Sequence, residues 1–485
     1  MFRTLLRLSH IFLAAVVFVV ASLVGAVPAS ALTEPVFDPG RDTPPPDGVP
    51  APPLPMKQDS VCVVSSVLEN SQFASIPVNT VFQVPRLNEL AVGRGQTVAV
   101  IDSGVNPNVR LPNLIGGGDY VMGGDGLSDC DHHGTLIAGI IAARGAEGDG
   151  FVGVAPEAAI LSIRQTSGAF SPDRPPQGYD AVAKNASNLH SLAQAIVHAA
   201  NMGATVINIS VTACFDASIP VDTSALAGAL YYAAVEKDIV VVSSAGNVGS
   251  SCKQNPGPNP SSPSDPRGWG TVESVSLPSM WSQFVLSVGG TSLTGETYPN
   301  TMGGPWVDVA APAINIVSLD PSAGDRGSLV NAQMKEGEAI PINGTSFAAA
   351  YVSGLAALIR EKYPNLTANQ VMDRIKNTAH APAAGMMENL LGAGIVDPVA
   401  ALTDTIDPGP KVAPGVPPRG VSEIADALPA DTMAKDTAKY VMAGSIGGTM
   451  VLALVLLAVR AGQRRKAGDE GNNAGVEVPP GVEVE

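Results

Sequence analysis

Charge is scarce in this chain of 485 residues: Asp, Glu, Lys and Arg together make up 15% of it, and aromatic residues 5%. With a hydrophobic share of 45%, so little charge excludes an intrinsically disordered protein, which needs few apolar groups and a high net charge per residue. Basic residues are the scarcer sign, 28 Lys plus Arg against 44 Asp plus Glu, for a net charge of −16. No nucleic-acid partner is expected, because binding to phosphates rests on basic patches that release counterions. Acidity otherwise speaks only to solubility. Cysteine is limited to Cys62, Cys130, Cys214 and Cys252, spaced too widely for a zinc site. No carboxylate cluster has the spacing of a calcium loop, so neither a metal nor another cofactor is expected.

Two long apolar runs stand out against this background. The first 31 residues read as an export signal, with Arg3 and Arg7 at the start and a run from Ile11 to Val27 that is nearly all apolar or small. Ala29-Ser30-Ala31 fits a small-residue cleavage site, and an uncleaved anchor is the alternative. The second run, Tyr440 to Val459, has twenty uncharged residues, which matches the roughly 20 needed to cross a bilayer core. Arg460, Arg464, Arg465 and Lys466 follow at once, as expected of a cytoplasmic flank. A buried core helix is the competing reading of this run, and those flanking charges weigh against it. The chain is therefore expected in the cell membrane as a single-pass protein. Everything between the two runs lies on the extracytoplasmic side, and residues 460–485 form a cytoplasmic tail. The even cysteine count in an oxidising compartment suggests two disulfides in one of three pairings, with free buried thiols as the alternative.

Between these runs the composition changes three times. Pro35 to Pro55 holds nine prolines in 21 residues, which favours extended conformations and cannot build a core of its own. Residues 32–89 are read as an N-terminal extension: a free linker, a strap along the folded domain, or a removable propeptide. From Thr97 onward, short apolar β-branched runs alternate with helical stretches. Thr97–Ile101, Ala159–Ile163, Val206–Ile209, Ile239–Val242 and Phe284–Val288 read as strands. They lack apolar/polar alternation, which predicts a parallel sheet covered on both faces. Leu189–Met202 and Ser224–Lys237 are long enough for crossover helices. The fold class is α/β, a three-layer sandwich with a mainly parallel sheet, whose site should lie at the carboxyl ends of its strands. This domain is placed at 90–402. Residues 403–439, with five prolines between Pro408 and Pro418, form a linker to the apolar span at 440–459.

Three short segments sit where chemistry would need them. Ile101-Asp102-Ser103-Gly104 follows a strand, His133-Gly134-Thr135 opens an apolar helical stretch, and Gly344-Thr345-Ser346-Phe347 opens a small-residue helix. Alone, each is ordinary: an Asp after a strand is usually a turn residue, and a Ser at a helix start usually a cap. In this order and context they resemble the subtilisin-like serine proteases. The resemblance implies that Ser346 is the nucleophile, His133 its base, and Asp102 the group orienting His133. Ser244-Ala245-Gly246-Asn247 is similar to the family segment whose Asn donates to the oxyanion, which implies that role for Asn247. His132 competes with His133, but only His133 is followed by the glycine the pattern requires, where a bare backbone would let substrate approach. Asn208-Ile209-Ser210 resembles the substrate-pairing strand, with Ser210 at its edge. Thr212 and Ala313 stand where the family usually has glycine, which leaves the cleavage preference open.

The resemblance covers about residues 90–400, and architecture narrows it. An export signal, a Pro-rich extension, Cys130 three residues before His133 and one C-terminal span together look like mycosins, the membrane-anchored proteases of type VII secretion systems. That likeness implies an extension wrapped around the catalytic domain, tied by Cys62–Cys130 beside the site, and a second bridge Cys214–Cys252. It also implies a serine endopeptidase acting on exported proteins and associated with the secretion membrane core, which it helps to stabilise. Two alternatives stand beside it: a mainly structural component with secondary protease activity, and a general degradative surface protease.

Overall fold

The computed structural model describes residues 32–418 apart from 250–251, 260, 323, 325 and 383–387. The expected signal, apolar span and tail lie outside the described residues. Among the described residues no helix is long and apolar enough to cross a membrane.

The centre is a seven-stranded sheet in which every pairing is parallel. Across the sheet the order is 309–312, 285–291, 240–244, 206–209, 97–102, 159–164 and 114–119. Successive residues of a strand face opposite sides, and here both sides are dry. Val98 and Val100 pack with the helices His133–Ala142 and Thr345–Lys362 on one face. Ala99 and Ile101 pack with Ala181–Asn201 and Ser224–Tyr231 on the other. The apolar runs without alternation thus have their expected cause.

All five predicted strands form, Val206–Ile209 with the predicted bounds and the other four with bounds shifted by one to three residues. Two more were not predicted as strands. Leu114–Asp119 carries three glycines and holds its place by pairing with Ala159–Arg164, and the short edge strand Val309–Pro312 pairs with 285–291. The helix expected from Leu189 begins at Ala181, because Asp180 caps it by accepting the Ala183 amide at 2.9 Å. The helix expected through Lys237 closes with a π turn at Tyr232–Glu236.

The proline-rich segment is packed as a strap along the sheet-and-helix domain. Phe37 is buried, stacked on Tyr231 at 4.4 Å and set edge-on to Phe284 at 5.5 Å. The backbone at Thr43–Pro44 crosses the 224–231 helix at Gly228, where an added Cβ would stand 2.2 Å from the Thr43 carbonyl carbon. Asp47 lies 2.8 Å from both His198 Nδ1 and Asn201 Nδ2. Met56–Gln58 then pairs antiparallel with Phe170–Pro172, and Ser65–Ser66 with Ala332–Gln333. Past Ile76 the chain enters the main core, where Val78, Val84 and Leu87 have no exposed surface. Burying each such side chain is worth roughly 1.5–3 kcal/mol. A segment without a core of its own has borrowed one.

Both expected disulfides are present, Cys62–Cys130 and Cys214–Cys252. The first closes 68 residues and joins the strap to the loop just before His133. By loop entropy, a closure of that length stabilises by about 4 kcal/mol.

Candidate active site

The sheet places its carboxyl ends where the chain reverses direction across it, between the strands 97–102 and 206–209, the position expected of a site in an open parallel sheet. Asp102 ends one of these strands and Ser210 follows the other. His133 opens its helix above the first, and Ser346 is the second residue of the 345–362 helix.

Asp102 is fully buried, and its Oδ1 accepts from the Ser103 amide at 2.7 Å and from His133 Nδ1 at 2.8 Å. Burial pulls the His133 pKa down. The charge of Asp102 and its hydrogen bond more than offset this and leave the imidazole above its ordinary value. The ring stays part-exposed and tilts against Phe347, with centroids 5.4 Å apart.

Ser346 is buried, and its hydroxyl donates to the Ser210 carbonyl at 3.1 Å. Among the described residues no hydrogen bond joins it to His133. The Ser210 hydroxyl in turn donates to the Ser346 carbonyl at 3.1 Å and accepts from Asn208 Nδ2 at 2.8 Å. Ser210 is therefore locked to the Ser346 turn by its side chain, and only its backbone is left for any contact with substrate. Asn247 is held from the other side, its Oδ1 accepting the Thr345 amide at 3.1 Å with Thr345 Oγ1 at 3.3 Å. That fixes the amide end, Nδ2, toward the helix start. The Ser346 amide there is among the first N–H groups of its helix, which have no intrahelical acceptor.

Two residues near the site escaped the sequence reading. Asp129 is buried, accepts from the Thr135 amide at 2.8 Å and hydroxyl at 2.6 Å, and sits 2.8 Å from Ser103 Oγ. Burial pushes its carboxyl up to about 6. Ser103 Oγ also lies 3.1 Å from Asp102 Oδ1 and accepts from the Gly134 amide at 2.9 Å. It therefore ties both carboxylates to the start of the His133 helix. Nothing in the sequence distinguishes Asp129 from exposed Asp125 or half-buried Asp131 on either side of it; only the fold buries it.

Two details differ from expectation. Gly134 does not open a path for substrate: a Cβ there would lie 2.0 Å from the Gly104 carbonyl oxygen. Its bare backbone lets the His133 helix seat directly on the loop after Asp102. His132 has a role as well. It takes the left-handed conformation, φ 63°, and its Nδ1 is 2.9 Å from Ser65 Oγ of the strap. Its imidazole is pushed down by burial.

Residues 93–394 match the model of the subtilase family of peptidases. Mycosin-1 of Mycobacterium tuberculosis is 48% identical over 456 residues, spanning 92% of this chain and 98% of that protein. Among solved structures, a serine protease MycP1, described as an essential component of the type VII (ESX-1) secretion system, superposes with a TM-score of 0.73. It is 48% identical and covers 77% of this chain and 100% of its own. A chain of an intact ESX-5 inner membrane complex superposes at 0.75 with 40% identity, covering 89% of this chain and 100% of its own. With a family match over most of its length and a relative so similar end to end, the chain belongs to the subtilase family of serine proteases and, within it, to the mycosins.

Proposed function

We propose that the chain is a membrane-anchored endopeptidase in which Ser346 attacks the peptide carbonyl and His133 takes its proton. The observation that carries this is the 2.8 Å contact between His133 Nδ1 and buried Asp102, in a cleft shared with a serine at a helix N-terminus. A serine hydroxyl is a weak nucleophile at neutral pH and needs an adjacent base. Asp102 orients the imidazole by accepting from Nδ1, which leaves Nε2 as the base, and it stabilises the imidazolium that forms. On substrate binding the Ser346 hydroxyl turns from the Ser210 carbonyl to Nε2. His133 then returns the proton to the leaving amine. The Ser346 amide and Asn247 Nδ2 receive the oxyanion, aided by the helix dipole.

Asn247→Leu is expected to lower kcat by about 10²–10³ while changing KM little, because the lost donor acts on charge that develops only in the transition state. Steady-state kinetics on a fluorogenic peptide check it; an unchanged kcat would remove Asn247 from the mechanism.

The relatives support a setting at the membrane. The apolar run 440–459 with its basic flank would anchor the enzyme with its catalytic domain outside the membrane. Its substrates would be proteins exported by a type VII secretion system, whose membrane core it would join and stabilise. That a similar chain forms part of an ESX-5 inner membrane complex also favours a second reading, in which assembly is the main duty and proteolysis secondary. Proteomics of the secreted fraction from wild type and Ser346→Ala separates them. Persisting export with lost processing makes assembly separable from catalysis, and loss of both removes the structural reading. Unchanged processing removes the protease reading. Failure to co-purify with a secretion membrane complex would favour a general surface protease instead.

A further inference from the structure

The triad mechanism leaves one buried acid beside the site without a part. Asp129 is 3% exposed. Among the described residues the donors to its carboxylate are the Thr135 amide at 2.8 Å, the Thr135 hydroxyl at 2.6 Å and the Ser103 hydroxyl at 2.8 Å, all of them neutral groups. Taking a carboxylate out of water is costly, most of all without a cation beside it. A neutral Asn would fill the same space, so the charge itself calls for a reason.

Ser103 is the link to the triad. Its Oγ lies 2.8 Å from Asp129 Oδ1 and 3.1 Å from Asp102 Oδ1, and it accepts from the Gly134 amide at 2.9 Å. A hydroxyl carries one proton, so Ser103 can donate to only one of the two carboxylates at a time. With both ionised, the shorter contact takes the proton, and Asp102 Oδ1 keeps the Ser103 amide and His133 Nδ1 as its donors. Asp102 Oδ2 is buried and has no hydrogen-bond partner among the described residues. The Asp102 charge is thus directed at the imidazole. Once Asp129 is protonated on Oδ1, the acid donates to Ser103 Oγ and the hydroxyl is released to Asp102. A third donor on Asp102 Oδ1 shares its charge and weakens its hold on His133.

The charged groups facing Asp129 come from three sides. Asp102 ends its strand on one side and His133 opens its helix on another, while Asp131 and His132 lie on the same loop. Asn106 Nδ2 joins the Asp129 carbonyl to that of Pro321, next to Asp320, whose charge acts on His132. The charges of Asp102, Asp129 and Asp131 all raise the His133 pKa against the effect of burial. Because burial pushes the Asp129 carboxyl up to about 6, it changes charge within the range where a histidine base titrates.

We propose that Asp129 is a positioning residue of the triad: by holding the Ser103 hydroxyl to itself, it keeps that hydroxyl off Asp102, whose carboxylate is left to His133. The inference rests on the protease reading of Asp102, His133 and Ser346. The test is the pH profile of kcat/KM for the full chain on a fluorogenic peptide. In Asp129→Asn, Oδ1 can still accept from Thr135 while Nδ2 donates to Ser103 Oγ, which turns the hydroxyl permanently to Asp102. The acid limb should move down by about half a pH unit, a small shift for a nearby charge. Turnover should fall by about tenfold, part of the roughly 10²–10⁴ that a general base supplies. Ser103→Ala removes the competing donor instead, so its acid limb should stay within about 0.2 unit of wild type. Asp129→Asn added to Ser103→Ala should move the limb less than half as far as it does alone. The position of the limb does not depend on the amount of folded protein, and if Asp129→Asn fails to fold, the Ser103→Ala profile still decides. An unmoved limb in Asp129→Asn, a downward shift in Ser103→Ala, or an equal Asp129→Asn shift with and without the Ser103 hydroxyl overturns the proposal. Cleavage that Ser346→Ala fails to abolish overturns the protease reading instead.

Discussion

In the purified chain, Ser346→Ala should lower kcat by about 10⁶-fold, the scale found when the nucleophile of a subtilase triad is removed. That corresponds to about 8 kcal/mol of transition-state stabilisation. The fold should barely notice. The substitution deletes one hydroxyl whose partner is the Ser210 carbonyl, and a single hydrogen bond contributes about 1 kcal/mol. A large kinetic loss on a small thermal shift is thus the signature of a nucleophile rather than of a structural serine. His133→Ala should cost nearly as much, and the double variant little more, because the two act as one unit. Single-turnover kinetics beside a melting curve decide it: a residual rate within tenfold of wild type would mean that another group attacks.

Asp102→Asn should lower kcat by about 10⁴-fold near neutral pH, since an amide can donate to Nδ1 and so favour the wrong imidazole tautomer. It should also displace the pH profile. His133 works as a base only when neutral, and its pKa in the wild-type protein is above the ordinary value. Activity on the free enzyme should therefore fall as pH drops through a point above 6.5. Burial acts on His133 in the opposite direction, and only the Asp102 charge and hydrogen bond, with smaller help from Asp129 and Asp131, outweigh it. With Asp102 neutralised, burial dominates and the acid limb moves to lower pH. An acid limb that stayed in place would assign that titration to another group.

The legible part of the molecule was the part whose physics is local. A buried parallel strand needs an unbroken apolar run, and Thr97–Ile101 or Val206–Ile209 can be little else. A serine that is to attack from a helix start needs small neighbours, and Ser346, the proposed nucleophile, has them. The strand Leu114–Asp119 was illegible because Leu-Ile-Gly-Gly-Gly-Asp has no β-branched pattern beyond Ile115, and only its neighbour makes it a strand. Asp129 was illegible for a related reason: its burial comes from Thr135 and Ser103, brought to it by the turn into the His133 helix. The family pattern found Gly134 but its reason was misread, because the contact with Gly104 exists only once two loops meet. The strap was one of three readings of the same prolines. Composition shows that such a segment cannot fold alone, and says nothing of where it will lie.

The crossing at Gly228 ties together positions 185 residues apart, because the Thr43 backbone occupies the space a methyl group would need. Such a site is under a constraint that no local rule would reveal. A helix interior ordinarily welcomes alanine over glycine by about 1 kcal/mol, yet here the better helix former would evict the strap at its crossing point. Any lineage that keeps the wrapped N-terminus must also inherit the gap at 228, and one that loses the wrap is free to fill it.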